Sequence, residues 1–433
     1  MSSVAIDVGP RRLKASHVAA VAAGNGLEFF DFILYSTFAI YIGRAYFPSH
    51  NPTVSLLLSL ATFGIGFITR PIGGLVLGRL GDRAGRTKAM MISFMLAAVG
   101  VFGIAVTPTY AQIGLAAPIL VILARLVQGF ALGGEVGPST SYMIEAAPTR
   151  LRGLFGGLQS ASQGCAIMAA SIVALVLAKV LPQAALEGWG WRLGFAAGLV
   201  IVPFGILIRR SLPESAPHLI EPQPEQVREP VPWRLVVLGL MLLTNGTIST
   251  YVGSYMTTYA MDTLHIGAQG AFGAGVINGA CTLAFVPLGG WLSDIFGRKL
   301  LLIGGLLVSA AATIPAFMLV IAHPTPLMLD IAVAMIAVPS SLGGAAILTA
   351  LTESFPPRIR SLTVGLVYAV AISIFGGTTQ LIVAWLIHAT GQPLVPAYYR
   401  VAASVVGLIG MLYLPESAPA RLRQANLSAV PTG

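Results

Sequence analysis

Residues 78–86 read Gly-Arg-Leu-Gly-Asp-Arg-Ala-Gly-Arg, and residues 290–298 read Gly-Trp-Leu-Ser-Asp-Ile-Phe-Gly-Arg. The second stretch is a weakened copy of the first, 212 positions later. Two more pairs keep step with it. Residues 145–152, Glu-Ala-Ala-Pro-Thr-Arg-Leu-Arg, recur at 353–360 as Glu-Ser-Phe-Pro-Pro-Arg-Ile-Arg, and Leu-Pro-Glu-Ser-Ala-Pro at 212–217 recurs letter for letter at 414–419. Three ordered matches at nearly one offset describe a chain built twice in the same orientation.

What is repeated is a set of membrane spans. The 433 residues are 56% hydrophobic and only 9% charged, with a mean hydropathy of +0.83, whereas a soluble domain carries about 25% charged residues. At about 20 apolar residues per spanning helix, spans fall near 18–43, 54–79, 89–108, 114–145, 153–181 and 190–209, then near 234–261, 269–293, 300–322, 327–353, 361–389 and 396–414. Barrel strands of about 10 alternating residues do not fit runs this long. The expected fold is an all-α integral membrane protein with twelve transmembrane helices in two pseudo-symmetric six-helix bundles.

The net charge of +9 does not point to nucleic acid, because of where it lies. Most loop arginines and lysines fall on one side of the twelve-span arrangement, and only Arg44, Lys179, Arg192 and Arg400 on the other. This positive-inside bias puts both termini in the cytoplasm, in a multi-pass protein of a bacterial-type inner membrane. The basic stretch before the first span resembles a signal peptide, but the run is too long, contains Glu28 and Asp31, and lacks a clear cleavage site. The expected divisions are a tail at 1–17, bundles at 18–209 and 234–415, a linker at 210–233 and a tail at 416–433. Cys165 and Cys281 fall inside spans, so they read as small core residues rather than a disulfide framework.

The Gly-x-Leu-x-Asp-Arg-x-Gly-Arg pattern at 78–86 resembles the signature loop of the major facilitator superfamily, whose second half carries a degenerate copy. Arg125-Leu-Val-Gln128-Gly129 resembles its proton-coupling motif. The stretches NGLEFFDF (25–32), FGIGFITRPIGG (63–74), ARLVQGFALGGE (124–135) and AVAISIFGGTT (369–379) are similar to the metabolite:proton symporter family. That family includes citrate, α-ketoglutarate, shikimate, proline and betaine carriers, and the resemblance covers nearly the whole chain. It implies alternating access, with substrate near the midplane between parallel repeats.

Charges at membrane depth are costly and usually functional. The first half places five inside its spans: Glu28 and Asp31 on span one, Arg70 on span two, Arg125 and Glu135 on span four. Helix rise puts Glu28, Arg70 and Glu135 at similar depths of about 14–15 Å, with Asp31 and Arg125 further out. Depth therefore permits Arg70–Glu135 and Asp31–Arg125 pairs, with Glu28 facing a cavity. Asn25, Glu28, Asp31 and Tyr35 share a helical face, as do Gln128 and Glu135. Two arginines against three carboxylates leave about −1. An anion is then repelled until a carboxylate takes a proton, and protonating Asp31 frees Arg125 to meet it. By linkage, proton and anion favour each other's binding. In related proton-coupled carriers, an acid on span one and the motif arginine on span four are thought to couple this way. The alternative is a static charge network.

The second half carries no acid or base deep in a span by this reading. Span seven instead offers Tyr251, Tyr255 and Tyr259 beside Thr247, Ser254 and Thr258. Hydroxyls suit a polyoxygen substrate, although membrane helices also use them to bind one another. Gln159 and Gln163 on span five, Asn278 on span eight and Gln380 on span eleven join them as candidates. The loop residues Asp82, Arg86, Glu145, Arg150, Asp294, Arg298, Glu353 and Arg358 are too shallow for substrate. They are expected to pair as a cytoplasmic gate, or else to serve loop folding and topology. The glycine-rich pieces lack a phosphate-loop pattern, and no metal cluster, catalytic triad or cofactor site is expected.

The expected function is a proton-coupled symporter importing a small organic acid, a tri- or dicarboxylate such as citrate or tricarballylate. The alternative within the class is a carrier of a zwitterion (proline or betaine) or a shikimate-like acid, with sodium as the other possible coupling ion. A nutrient sensor on the same scaffold would need a long signalling domain, which the tails and the linker of about 24 residues are too short to hold. The expected partners are the substrate and the lipid bilayer, not nucleic acid, with a monomer as the working unit and no enzymatic activity.

Overall fold

The computed structural model describes residues 15–84, 86–133, 143, 147–210, 232–356, 360–419 and 421. Among them the chain is helical, with no strand. The first bundle contains α1 (Ala15–Thr37, continued as Ala39–Tyr46), α2 (Pro52–Ile65 and Arg70–Ala84), α3 (Arg86–Val106), α4 (Ala116–Gly133), α5 (Arg152–Val180) and α6 (Trp191–Arg210). The second contains α7 (Trp233–Asp262), α8 (Ala268–Phe296), α9 (Arg298–Ala322), α10 (Pro326–Gly344 and Ile347–Ser354), α11 (Arg360–Ala371 and Gly377–Thr390) and α12 (Val395–Tyr413). Among the described residues nine helices are long and apolar enough to cross a membrane outright; α1 is a pair bent by 64°, and α3 is apolar over Met91–Val106.

Local chemistry sets the ends. Asn51 accepts a hydrogen bond from the Thr53 N–H at 2.9 Å with Pro52 opening α2, and Thr325 caps Met328 at 3.3 Å with Pro326 opening α10. Such caps satisfy amides that a helix start leaves without partners. Gly297, at φ 102°, makes the α8–α9 turn that the second signature copy encodes. Exposed Val99, Phe102, Ile119, Val308 and Met318 form a lipid-facing surface on which only closed helical hydrogen bonding is tolerable.

The bundles meet chiefly where α5 lies along α8 and α2 along α11. Glycines allow that approach: a Cβ on Gly64 would stand 2.3 Å from the Gly377 carbonyl oxygen, and one on Gly153 2.4 Å from that of Gly290. Small residues at membrane helix crossings serve this packing. Two irregularities flank the crossing. α2 breaks between Ile65 and Arg70, where the Thr69 hydroxyl donates to the Leu126 carbonyl at 2.7 Å. α11 becomes a π-helix over Ile372–Gly376, and there Ser373 donates to the Phe67 carbonyl at 3.0 Å, tying α11 to α2. π-Turns of this kind frequently mark functional sites.

Candidate functional site

A cavity of about 210 Å³ lies between the bundles and runs into the second one. Its polar walls include Gln163 on α5, Thr247 and Tyr251 on α7, Asn278 on α8, Tyr368 on α11 and Arg400 on α12. Four of these six were expected from sequence as candidates or as part of the span-seven hydroxyl stripe. The expectation that the second half holds no buried base is corrected by Arg400. It enters five residues past the start of α12 and is 3% exposed. Its Nη2 donates to Ser309 on α9 at 2.7 Å and to Ser340 on α10 at 3.1 Å.

Other candidates bind helices together instead of lining the cavity. Asn25 donates to the Ser162 hydroxyl at 2.8 Å and the Gln159 carbonyl at 3.3 Å, joining α1 to α5. Gln380 and Ser36 exchange hydrogen bonds at 2.7 and 3.1 Å, joining α11 to α1. Gln128 accepts from Arg125 at 2.9 Å. Tyr255 and Thr258 are fully buried away from the cavity, Tyr255 among apolar residues that include Leu56, Val252 and Phe317. Four-residue spacing kept Tyr251 and Tyr255 near one face, but Val252, Gly253 and Met256 line the cavity beside Tyr251 while Tyr255 turns into the apolar packing.

The expected Asp31–Arg125 pair does not form in this conformation. Arg125 is wholly buried, donates to the Phe63 carbonyl at 3.0 Å, and stacks on Phe32, Tyr35 and Phe63 at 4.4, 4.6 and 4.9 Å. Arg70 stacks on Phe32 and Phe67 at 4.7 and 4.3 Å, and the phenols of Tyr251 and Tyr368 lie within its electrostatic reach. Phe32 therefore fills the space between both guanidiniums. Asp31, one residue earlier, is turned about 100° round the helix and packs against Gly198 on α6, where its Oδ1 is buried without a hydrogen-bond partner. Asn25, Asp31 and Tyr35 accordingly diverge toward α5, α6 and α2 rather than sharing one face. Glu135 lies outside the described residues, as does the side chain of Glu28, which sits on α1.

At the loop face that carries the two signature copies, several of the residues expected to pair do so. Arg298 pairs with Asp294 at 2.6 Å and grips Glu353 through Nε at 3.2 Å and Nη2 at 3.3 Å. Asp294 accepts from the Gly153 and Leu154 amides at 2.8 and 3.0 Å, so the second bundle's signature aspartate holds the start of α5 in the first. Arg150 is exposed beside it in a 3₁₀ turn, Thr149–Leu151. Glu145, Arg358 and the side chains of Asp82 and Arg86 lie outside the described residues.

Two further groups went unseen in the sequence. Glu416 accepts from the amides of Arg298 and Lys299 at 3.0 Å each, and Ser417 donates to Glu353 at 2.8 Å, which gives the second Leu-Pro-Glu-Ser-Ala-Pro copy its role. The letter-for-letter repeat was the available signal. At the opposite face, His388 on α11 lies 2.9 Å from Asp262 on α7 and 3.3 Å from the hydroxyl of Thr53 on α2. This contact spans the two bundles.

The comparisons agree with this architecture. The family description "Sugar (and other) transporter" matches residues 17–229, and "Major Facilitator Superfamily" matches 274–433. A citrate-proton symporter of Klebsiella pneumoniae is 34% identical over 94% of this chain and 94% of its own. A proline/betaine transporter of Escherichia coli (strain K12) is 30% identical over 95% of this chain and 85% of its own. The crystal structure of a D-xylose-proton symporter superposes with a TM-score of 0.76 at 18% identity, covering 94% of this chain and 98% of that one. The chain belongs to the major facilitator superfamily, within its metabolite:proton symporter family.

Proposed function

We propose that the protein is a proton-coupled symporter importing a small organic acid by alternating access. The observation that carries the reading is the cavity, enclosed by α1 and α5 of one bundle and by α7 to α12 of the other, with hydroxyl and amide groups in its wall. A site between two rigid bundles changes its exposure when they rock. Residues 18–209 and 234–415 are the rocking units in this reading. A tri- or dicarboxylate such as citrate is the first candidate, supported by the citrate-proton symporters among the relatives. A zwitterion such as proline or betaine is the second, supported by the proline/betaine transporters.

The proton is the proposed coupling ion, with Asp31 as its carrier. A half-buried carboxyl whose Oδ1 has no hydrogen-bond partner can take a proton without breaking an ion pair. The arginine distribution supports cytoplasmic termini in a bacterial inner membrane, and a single chain suffices to build the cavity. Radiolabelled citrate uptake into proteoliposomes under an inward pH gradient tests the reading. Gradient-dependent uptake is expected, and its absence in folded protein that takes up proline or betaine moves the assignment to the zwitterion.

A further inference from the structure

We infer that Arg400 is the carboxylate anchor of the site, the residue that makes an anionic oxygen pair the first thing the cavity recognises. The inference rests on the proposed transport reading for its setting, but it concerns binding and stands or falls on binding.

Four observations lead there. Arg400 is 3% exposed and lies on the cavity wall with Ser309, Ser340, Asn245 and Ser404. Its recorded partners are neutral: Ser309 and Ser340 both receive Nη2. Its Nε is buried without a hydrogen-bond partner. Among the described residues no carboxylate lies within ion-pair distance of it; the described ion pairs involve Arg44, Arg298 and His388. A guanidinium held out of water with hydroxyl partners alone is an unneutralised charge. The group that complements it best is a carboxylate, which accepts two parallel N–H bonds.

The other buried arginines do not compete. Arg70 and Arg125 are absent from the cavity wall. Arg70 is stacked on Phe32 and Phe67, and Arg125 on Phe32, Tyr35 and Phe63. An entering carboxylate therefore meets the second bundle first, through α12, while Ser309 and Ser340 carry its pull to α9 and α10. Citrate, dicarboxylates, proline and betaine all present such a group, so the anchor does not depend on which of them is the substrate.

The test measures ligand-induced thermal stabilisation of purified wild type, Arg400→Gln and Arg400→Lys, with citrate and glycine betaine as carboxylate probes. Trimethyl citrate and choline are the matched probes without a carboxylate. The expected result is that wild type is stabilised by at least one carboxylate and by neither control. Arg400→Gln then weakens that binding on the order of tenfold to a hundredfold, with Arg400→Lys in between because it keeps the charge and loses the planar fork. Wild-type affinity in Arg400→Gln overturns the inference. So does an equal loss in both variants accompanied by a collapse of ligand-free melting temperature, which marks a structural tie. A wild type that binds neither carboxylate overturns it as well. Carboxylate binding through Arg400 without proton-driven uptake sinks the symport reading alone, whereas uptake indifferent to Arg400→Gln sinks the anchor alone.

Discussion

The guanidinium carbon of Arg125 lies 4.4 Å from the ring centroid of Phe32, and Arg70 approaches the same ring at 4.7 Å. One aromatic side chain on α1 thus holds two cations from α2 and α4, a partnership worth roughly 0.5–2 kcal/mol per cation when desolvated. Phe32→Leu is expected to destabilise the protein by about 1–3 kcal/mol, read as a lowered melting temperature in detergent. Phe30→Leu is the control, since Phe30 is buried on the same helix but stacks under no recorded guanidinium. Equal losses in the two variants would reduce Phe32 to ordinary packing.

Asp31 gives a prediction with a sign. If its proton enters with the substrate anion, linkage requires substrate affinity to rise as pH falls. Asp31→Asn is expected to flatten that dependence and abolish gradient-driven uptake, while substrate exchange without a gradient persists. Gly198 offers an independent handle, because a Cβ there would stand 2.1 Å from the Asp31 carboxylate oxygen. Gly198→Ala must displace the acid and should impair gradient-driven uptake several-fold more than exchange. A pH dependence unchanged in Asp31→Asn would move coupling to another carboxylate, Glu28 or Glu135.

Asp294 bridges the bundles by accepting two amides from the start of α5. Bonds from amides to a charged acceptor contribute about 1.5–3 kcal/mol each, and here they favour the arrangement in which α5 and α8 meet at the loop face. Asp294→Asn keeps the size and gives up the charge, so the closed population should fall about tenfold or more. A cysteine introduced at Ser160, on the cavity wall, in a background lacking Cys165 and Cys281, would report this as faster labelling from the loop face. Unchanged labelling would mean that Asp294 only orders its own turn with Arg298.

The repeat, the all-helical two-bundle fold and the pairing of Arg298 with Asp294 and Glu353 were legible because each depends on pattern along the chain. Helix rise gives depth, so Arg70 and Arg125 were placed correctly as buried. Azimuth was the missing coordinate. Asp31 and Phe32 differ by one position and about 100°, and that rotation sends the acid to α6 and the ring to the arginines. Arg400 was misread for a related reason. Five residues from the start of a span it counts as a boundary charge, yet its long stem carries the guanidinium to Ser309, eleven residues into α9 from Arg298. Side-chain direction depends on the neighbours that α9 and α10 supply, and spacing does not encode them. Tyr255 shows the converse, a residue on the right stripe that the packing seals off.

The repeated Leu-Pro-Glu-Ser-Ala-Pro motif supplies the last prediction. Glu416 accepts four backbone amides: those of Arg298, Lys299 and Ser417 at 3.0 Å and that of Ala418 at 2.8 Å. Two of these open α9, where a carboxylate both fills unpaired donors and meets the positive end of the helix dipole. Glu416→Ala removes the acceptor and the charge and should cost about 1–2 kcal/mol, whereas Glu416→Gln keeps an acceptor oxygen and should cost less. Melting temperatures ordered wild type, Gln, Ala would support the cap. The same cap fixes where Arg298 begins its reach toward Glu353, and Ser417 holds Glu353 from the other side. Glu416→Ala should therefore also speed labelling at Ser160 in the same direction as Asp294→Asn. A stability loss with unchanged labelling would confine the motif to holding α9, and separate the fold of the second bundle from the closing of the gate.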